Sequence, residues 1–180
     1  TGKRERRVND SLAWGARNES EVRFMQYGCE GEEDTRPLPP EEQFERDCVK
    51  LYHARAGQVP LAGKRVLDSG AGRGGGASFV QRYLGASETV GCEIAQRAVD
   101  LARSLHAGVP GLTFRQGDAM ALPFLADSFD AILNVESAHC YSDRATFFRE
   151  AFRALTPGGH FLVAAFTSRP PPPEPPPARL

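Results

Sequence analysis

The chain has 180 residues, of which 41% are hydrophobic and 25% are charged, and its formal net charge is −1. A chain of this size and composition carries enough apolar surface to form one globular domain. The near-zero charge excludes the strongly basic surface of most nucleic-acid-binding proteins, and no apolar run reaches the ~20 residues that cross a bilayer. The sequence also begins without a signal-peptide pattern, so we expect a cytoplasmic protein with no nucleic-acid partner and no membrane span.

The four cysteines lie far apart, and none forms a Cys-x-x-Cys pair: Cys29, Cys48, Cys92 and Cys140. Structural zinc sites use closely spaced pairs of ligands, so we expect no metal site. The spacing favours free thiols in a reducing compartment.

The N-terminal third of the sequence divides into two parts. Residues 1–20 are charged and show almost no apolar periodicity, which predicts a loose arm. Residues 21–57 contain an acidic, Pro-rich loop and then a predicted helix, because apolar residues recur at helical spacing. Pro40 suits the first position of that helix, and Gly57 suits its end.

Residues 58–168 alternate between strands and helices. The strands are predicted at residues 64–69, 88–93, 112–118, 129–137 and 160–166, and the helices between them at 76–85, 94–108 and 143–155. Such alternation is typical of βαβ units, so we expect an α/β fold with a parallel sheet. Residues 169–180 are rich in proline, which predicts a disordered tail outside the sheet.

Two of these helices carry apolar faces that we expect to pack on the sheet. The residues expected to point inward are Ile94, Ala98, Leu101 and Leu105 in the helix at 94–108, and Phe148, Phe152 and Leu155 in the helix at 143–155. Asp143 is the predicted N-cap of the second helix.

Residues 66–80 read VLDSGAGRGGGASFV, with five glycines between a predicted strand and a predicted helix. Three consecutive glycines in a first helical turn cost on the order of 2 kcal/mol relative to alanine. This loop therefore predicts a site where a ligand approaches the backbone closely. The GxGxxG pattern within it serves dinucleotides and other adenosine cofactors alike.

Three acidic residues lie at the ends of consecutive predicted strands beside this loop: Asp68, Glu93 and Asp118. A carboxylate at Asp68 would repel a pyrophosphate and attract a cationic ligand, whereas Glu93 suits the two hydroxyls of a ribose. Asp118 suits the amino group of an adenine. The structural alternative for each residue is a cap or an Asx turn.

The sequence resembles the class I S-adenosylmethionine-dependent methyltransferases of the small-molecule branch. The resemblance is carried by four segments: VLDSGAGRGGG, VGCEIAQRAVDLA, GDAMALPFLADSFDAILNVESAHCYSD and FREAFRALTPGGHFLVA. Together with the upstream FMQYG and LYHARAG, they resemble the phthiotriolone-ketone-type methyltransferases of lipid and polyketide pathways. The resemblance implies a Rossmann-like doubly wound sheet of strand order 3-2-1-4-5, and a segment at 21–57 that covers cofactor and substrate.

The resemblance also implies a site for S-adenosylmethionine. Its members would be Asp68, Gly70, Ala71, Gly72, Gly74, Glu93, Ile94, Asp118, Ala119, Asn134, Glu136 and Tyr27. In this assignment the glycines lie under the methionine part and Asp68 orders their loop. Asp118 and Ala119 recognise the adenine, and Tyr27 covers the sulfonium with its ring.

His139 is the candidate general base for a small-molecule methyl acceptor. The structural alternative is a residue that only shapes the substrate site. Some related enzymes pair this histidine with an aspartate at the end of the fifth strand, but Ala165 occupies that position here.

The family fold has two further strands after the fifth, whereas this sequence ends soon after the fifth strand. We therefore expect an open sheet edge there, which self-association could cover. Two alternatives to an active methyltransferase stay open at this point: a non-catalytic remnant that only binds the cofactor, and a nicotinamide-dependent oxidoreductase.

Overall fold

The structure is a computed structural model that describes residues 22–25, 28 and 37–165. The predicted arm at 1–20, the tail at 169–180 and Tyr27 lie outside the described residues. The fold that follows is that of the described ranges.

Five parallel strands form the sheet, each paired in parallel with its neighbours. They are β1 (Arg65–Ser69), β2 (Glu88–Glu93), β3 (Leu112–Gln116), β4 (Phe129–Val135) and β5 (Leu155–Ala164). Their order across the sheet is β3-β2-β1-β4-β5, which confirms the prediction. The order reverses between β1 and β4, and ligands of open α/β sheets bind at this switch point.

Four α-helices flank the sheet: α1 (Arg46–Ala56), α2 (Gly75–Tyr83), α3 (Gln96–Leu105) and α4 (Arg144–Ala154). The helix predicted from Pro40 begins as a 3₁₀ helix, Pro40–Glu45, and becomes α-helical only at Arg46. A second short 3₁₀ helix, Ala138–Cys140, follows β4. The Asp143 side chain caps α4 by accepting from the Ala145 and Thr146 N–H groups, as predicted.

The core lies on both faces of β1 and β4. In β1, Val66 packs with α1 and α2 on one face, and Leu67 packs with α4 on the other. In β4, Leu133 packs in the same cluster as Val66, and Ile132 packs in the same cluster as Leu67. The N-terminal segment shares the first of these clusters, since Phe24 packs in it.

The predicted inward faces of α3 and α4 are wrong in part. Phe148 is 45% exposed and Phe152 is 83% exposed, whereas Phe147, Ala151 and Ala154 are buried under α4. The predicted and the buried sets of residues lie one position apart along the helix. The buried set contains two alanines, whose small side chains let α4 pack close to the sheet. Ile94 is 62% exposed, and it precedes α3, which begins only at Gln96. The buried residues of α3 are Val99 and Ala102.

The fifth strand begins earlier than predicted, at Leu155. It includes residues 156–159, which lie between the predicted helix and the predicted strand, and its pairing with β4 is irregular. Gly158 accommodates this irregularity with a left-handed φ of 79°. Among the described residues β5 pairs only with β4, so it forms an open edge of the sheet.

Candidate functional site

A pocket of about 510 Å³ opens at the carboxyl ends of β1, β2 and β4. Its walls come from the glycine loop after β1, the residues after β2 and β3, the segment after β4, and residues 23–25. This volume falls in the range of roughly 300–1,000 Å³ that small-molecule sites occupy. The position is the one predicted from the sheet order.

The glycine loop forms the floor of the pocket. Gly70, Gly72 and Gly74 all have left-handed φ values, of 75°, 55° and 84°, which only glycine adopts without strain. The Gly70 N–H donates to the Cys92 carbonyl over 2.8 Å, which fixes the loop to β2. A Cβ on Gly70 would lie 2.8 Å from the Tyr141 hydroxyl, so no side chain fits between the loop and the segment after β4.

The glycines in the first turn of α2 have a different explanation from the predicted one. A Cβ on Gly76 would overlap the Tyr52 ring, and a Cβ on Gly75 would lie 2.7 Å from Cδ2 of Phe24. The protein's own aromatic rings therefore explain both glycines without a ligand. Both residues also border the pocket, and Gly74, which lies behind it, faces Phe114.

Asp68 lies behind the loop and is fully buried, so it is not part of the pocket wall. Its Oδ2 accepts from the Tyr52 hydroxyl over 3.0 Å. Burial raises the pKa of Asp68 to about 7, a rise that the Tyr52 hydrogen bond opposes and the charge of Glu93 increases. The carboxyl is therefore only partly charged near neutral pH, which weakens its predicted effect on the ligand.

Glu93 lies at the end of β2 and in the pocket wall. Its Oε2 accepts from the Gly72 N–H and its Oε1 from the Ala95 N–H, each over 3.0 Å. A carboxylate oxygen accepts more than one hydrogen bond, so both oxygens keep capacity for a ligand hydroxyl. The adjacent Ile94 is exposed and also borders the pocket.

Asp118 and Ala119 border the pocket beyond β3. Asp118 Oδ1 accepts from the Met120 N–H over 2.8 Å, which is the Asx turn considered as the structural alternative. The turn uses one carboxylate oxygen and holds the side chain at the pocket wall.

The end of β4 and the segment after it combine one buried residue with several that border the pocket. Asn134, which the resemblance assigns to the cofactor site, is fully buried and is not in the wall. Its Nδ2 lies 2.9 Å from the Ser69 carbonyl and 2.7 Å from Ser137 Oγ, so it holds the ends of β1 and β4 together. Glu136 borders the pocket with a φ of 52°, a conformation that residues other than glycine seldom adopt.

His139 lies in the 3₁₀ helix after β4, is exposed, and borders the pocket. The structure therefore brings nine predicted residues to one pocket: Gly70, Ala71, Gly72, Glu93, Ile94, Asp118, Ala119, Glu136 and His139. It places Asp68, Gly74 and Asn134 behind the wall.

The wall also includes residues that were not among the predicted site members, and five of them are Arg23, Phe24, Met25, Ser137 and Tyr141. The position of Ser137 and Tyr141 directly after a buried strand is a signal that could have found them. Burial raises the pKa of the Tyr141 hydroxyl, which lies 3.1 Å from Ser137 Oγ. Residues 23–25 reach the wall through long-range contacts that no local pattern reveals.

The charges of the wall suit a cationic ligand. Three acidic residues line the pocket, Glu93, Asp118 and Glu136, against one arginine, Arg23, among the described wall residues. The Arg23 guanidinium is itself 3.8 Å from a carboxylate oxygen of Glu45. Such a set fits the ammonium and sulfonium groups of S-adenosylmethionine and opposes a pyrophosphate.

Residues 22–25, 28 and 37–165 contain neither a metal-binding cluster nor a helix that could span a membrane. No group of three or more His, Cys, Asp or Glu side chains there could hold a metal ion. None of the described helices is long and apolar enough to cross a membrane.

Comparison with known proteins agrees with the fold. A family model described as a methyltransferase domain matches residues 67–163. The fatty-acid O-methyltransferase of Mycolicibacterium smegmatis is 40% identical over 145 residues, which are 80% of this chain and 53% of that protein. A phthiotriol/phenolphthiotriol dimycocerosates methyltransferase of Mycobacterium tuberculosis is 43% identical over 125 residues, or 69% and 46% of the two chains. The chain thus spans about half the length of the curated relatives it matches.

Two solved structures extend the comparison. An S-adenosylmethionine-dependent methyltransferase from Mesorhizobium loti superposes with a TM-score of 0.55 at 30% identity, over 66% of this chain and 52% of that one. The [4+2]-cyclase SpnF superposes with a TM-score of 0.63 at 31% identity, over 67% and 45% of the two chains. Since the family model covers more than half of the sequence and includes the glycine loop, the chain belongs to the methyltransferase-domain family.

Proposed function

We propose that the protein transfers a methyl group from S-adenosylmethionine to a small apolar acceptor of lipid or polyketide type, at oxygen or carbon. The observation that carries this proposal is the pocket itself, where Glu93, Asp118 and Glu136 face the space above a glycine loop. The names of the relatives in M. smegmatis and M. tuberculosis support the acceptor class.

The cofactor would lie along the switch point of the sheet. Glu93 would accept hydrogen bonds from the ribose, and Asp118 with Ala119 would hold the adenine. Gly70, Ala71 and Gly72 would lie against the methionine part, where the bare backbone admits close contact. S-adenosylmethionine supplies a methyl group already activated by a positively charged sulfur.

The acceptor would enter over an apolar rim. Met25 is 61% exposed and Ile94 is 62% exposed at the pocket, and Met120 also borders it. Flexible thioether side chains adapt to apolar ligands of varied shape. An alkyl or polyketide chain would find apolar contacts there that a highly charged acceptor would not.

The protein's part in the reaction is mainly alignment of the acceptor with the methyl group. Orientation alone can contribute roughly 7–11 kcal/mol toward the barrier of such a step. His139 would accept the proton from the acceptor hydroxyl or acidic carbon, a contribution of about 10²- to 10⁴-fold in rate. Its exposed position at the pocket lets it reach an acceptor and return the proton to water.

Similarity of fold does not by itself specify methyl transfer, as the superposition on a [4+2]-cyclase illustrates. The test is incubation of the protein with S-adenosylmethionine and separate acceptors: a long-chain fatty acid, a long-chain alcohol and a hydroxylated polyketide. We expect S-adenosylhomocysteine and a methylated product to form in equal amounts with at least one acceptor. Tight cofactor binding without any product across the panel would support the non-catalytic alternative instead.

Two further expectations belong to this proposal. Self-association through the open edge of β5 is supported by its one-sided pairing within the described residues, and sedimentation velocity at several concentrations tests it. A cytoplasmic location is supported by the free thiols of Cys48, Cys92 and Cys140, and localisation of a tagged protein tests it.

A further inference from the structure

Residues 22–25 form a short strap along one wall of the pocket. Three of them, Arg23, Phe24 and Met25, border the cavity directly. The Met25 sulfur lies 3.0 Å from the position that a Cβ on Gly72 would take, so the strap lies against the glycine loop.

The strap is bound to the loop on one side and to a single carboxylate on the other. The Gly75 N–H, at the start of α2, donates to the Arg23 carbonyl over 3.0 Å. On the other side, Glu45 Oε1 accepts from the Arg23 N–H over 2.6 Å and from the Phe24 N–H over 2.9 Å. Glu45 Oε2 lies 3.8 Å from the Arg23 guanidinium.

Glu45 is an unusual residue for this task because its side chain is almost completely buried, at 1% exposure. A buried carboxylate is costly unless hydrogen bonds and opposite charges compensate it. Here burial raises the pKa of Glu45, and the two strap N–H groups and Arg23 oppose the rise. The compensating groups all belong to the strap, so the buried acid and the strap depend on each other.

We propose that Glu45 is a positioning residue for the cofactor site, which anchors residues 22–25 as a preformed wall over the glycine loop. This inference rests on the proposed function, since the wall is useful only if S-adenosylmethionine occupies the pocket. Without the anchor, the strap would have to become ordered at each binding event, which lowers affinity for the cofactor.

The test compares three variants of the full chain. Glu45→Ala removes the anchor, and Glu45→Gln keeps one acceptor oxygen but removes the charge. Glu42→Gln is the matched control, since Glu42 lies on the same 3₁₀ helix and pairs with Arg82 rather than with the strap. The readouts are amide exchange at Arg23 and Phe24 by NMR, and calorimetric affinity for S-adenosylhomocysteine.

We expect Glu45→Ala to accelerate exchange at both strap amides and to weaken binding by roughly tenfold, the effect of a lost preorganised wall. Glu45→Gln should give a smaller change of the same sign, and Glu42→Gln should match the wild type. If Glu45→Ala does not fold, Glu45→Gln decides by the same two readouts.

Each remaining outcome has a distinct meaning. Wild-type affinity in the folded Glu45 variants, or equal weakening in the Glu42→Gln control, would overturn the inference and leave the proposed function intact. Failure of the wild type itself to bind S-adenosylhomocysteine would overturn the proposed function, and the role of the strap with it.

Discussion

The Tyr52 hydroxyl donates to the fully buried carboxyl of Asp68 over 3.0 Å, and Gly76 leaves the space through which the Tyr52 ring reaches it. The contact joins α1 to the end of β1, directly behind the glycine loop. A residue of the N-terminal helix thereby supports the loop that would hold the cofactor.

The buried carboxyl of Asp68 should make stability depend on pH. Its pKa rises from an ordinary 3.8 to about 7 on folding. The protonated form of Asp68 is therefore favoured in the folded state. Its contribution to the free energy of unfolding is fully present below pH 3.8 and is lost as the pH rises through about 7.

Asp68→Asn removes this titration. We expect the wild type to lose on the order of a few kcal/mol of unfolding free energy, relative to Asp68→Asn, between pH 5 and pH 8. Urea unfolding of both proteins at the two pH values measures the difference. Parallel changes in the two proteins would show that Asp68 is already ionised throughout this range.

Gly76→Ala should destabilise the protein by about 1–3 kcal/mol, because the added methyl group would overlap the Tyr52 ring in a packed core. Gly108→Ala is the control, since a Cβ there meets nothing within 4 Å. Thermal unfolding of both variants separates the packing effect from the ordinary gain of replacing glycine by alanine. Equal stability of the two would mean that Tyr52 does not occupy this space.

Glu93→Gln should weaken binding of S-adenosylmethionine by about 10- to 100-fold, as expected for loss of a charge-assisted pair of hydrogen bonds. The Gly72 and Ala95 N–H groups each donate to one oxygen of the Glu93 carboxylate. In Glu93→Gln the new amide N–H group would face one of these two donors instead of accepting from it. Glu88→Gln, at the opposite end of β2 and paired with Arg65 at the surface, is the control. Calorimetric titration of the three proteins checks this, and unchanged affinity in Glu93→Gln would remove Glu93 from the cofactor site.

His139→Ala should lower kcat by about 10²- to 10⁴-fold with the best acceptor, while cofactor affinity stays unchanged. The control is His160→Ala, since His160 is exposed on β5 and is not a wall residue of the pocket. Initial rates at saturating cofactor distinguish the roles. A raised KM with unchanged kcat in His139→Ala would assign His139 to substrate shaping rather than to proton transfer.

The sheet and its order can be predicted from this sequence because strands and helices alternate clearly and right-handed crossovers leave few topologies. The pocket can be located for the same reason, since Glu93 and Asp118 follow strands whose carboxyl ends must converge. What fails is the choice between adjacent helical stripes. Phe148 and Phe152 are more apolar than Ala151 and Ala154, but close approach of helix and sheet favours the smaller residues.

The depth of each acidic residue also cannot be predicted locally. Asp68 and Glu93 both end a strand beside the same loop, yet one is sealed behind Tyr52 and the other faces the cavity. The role of Glu45 is harder still to predict from the sequence, because its partners Arg23 and Phe24 are more than 20 residues away along the chain. Only the packed fold decides which carboxylates reach the ligand.

The most direct test of the pocket assignment is calorimetric titration of the wild-type chain with S-adenosylmethionine and, separately, with NAD. The three wall carboxylates predict saturable binding of S-adenosylmethionine at one site per chain and no detectable heat with NAD. Saturable binding of NAD, with none of S-adenosylmethionine, would contradict the account.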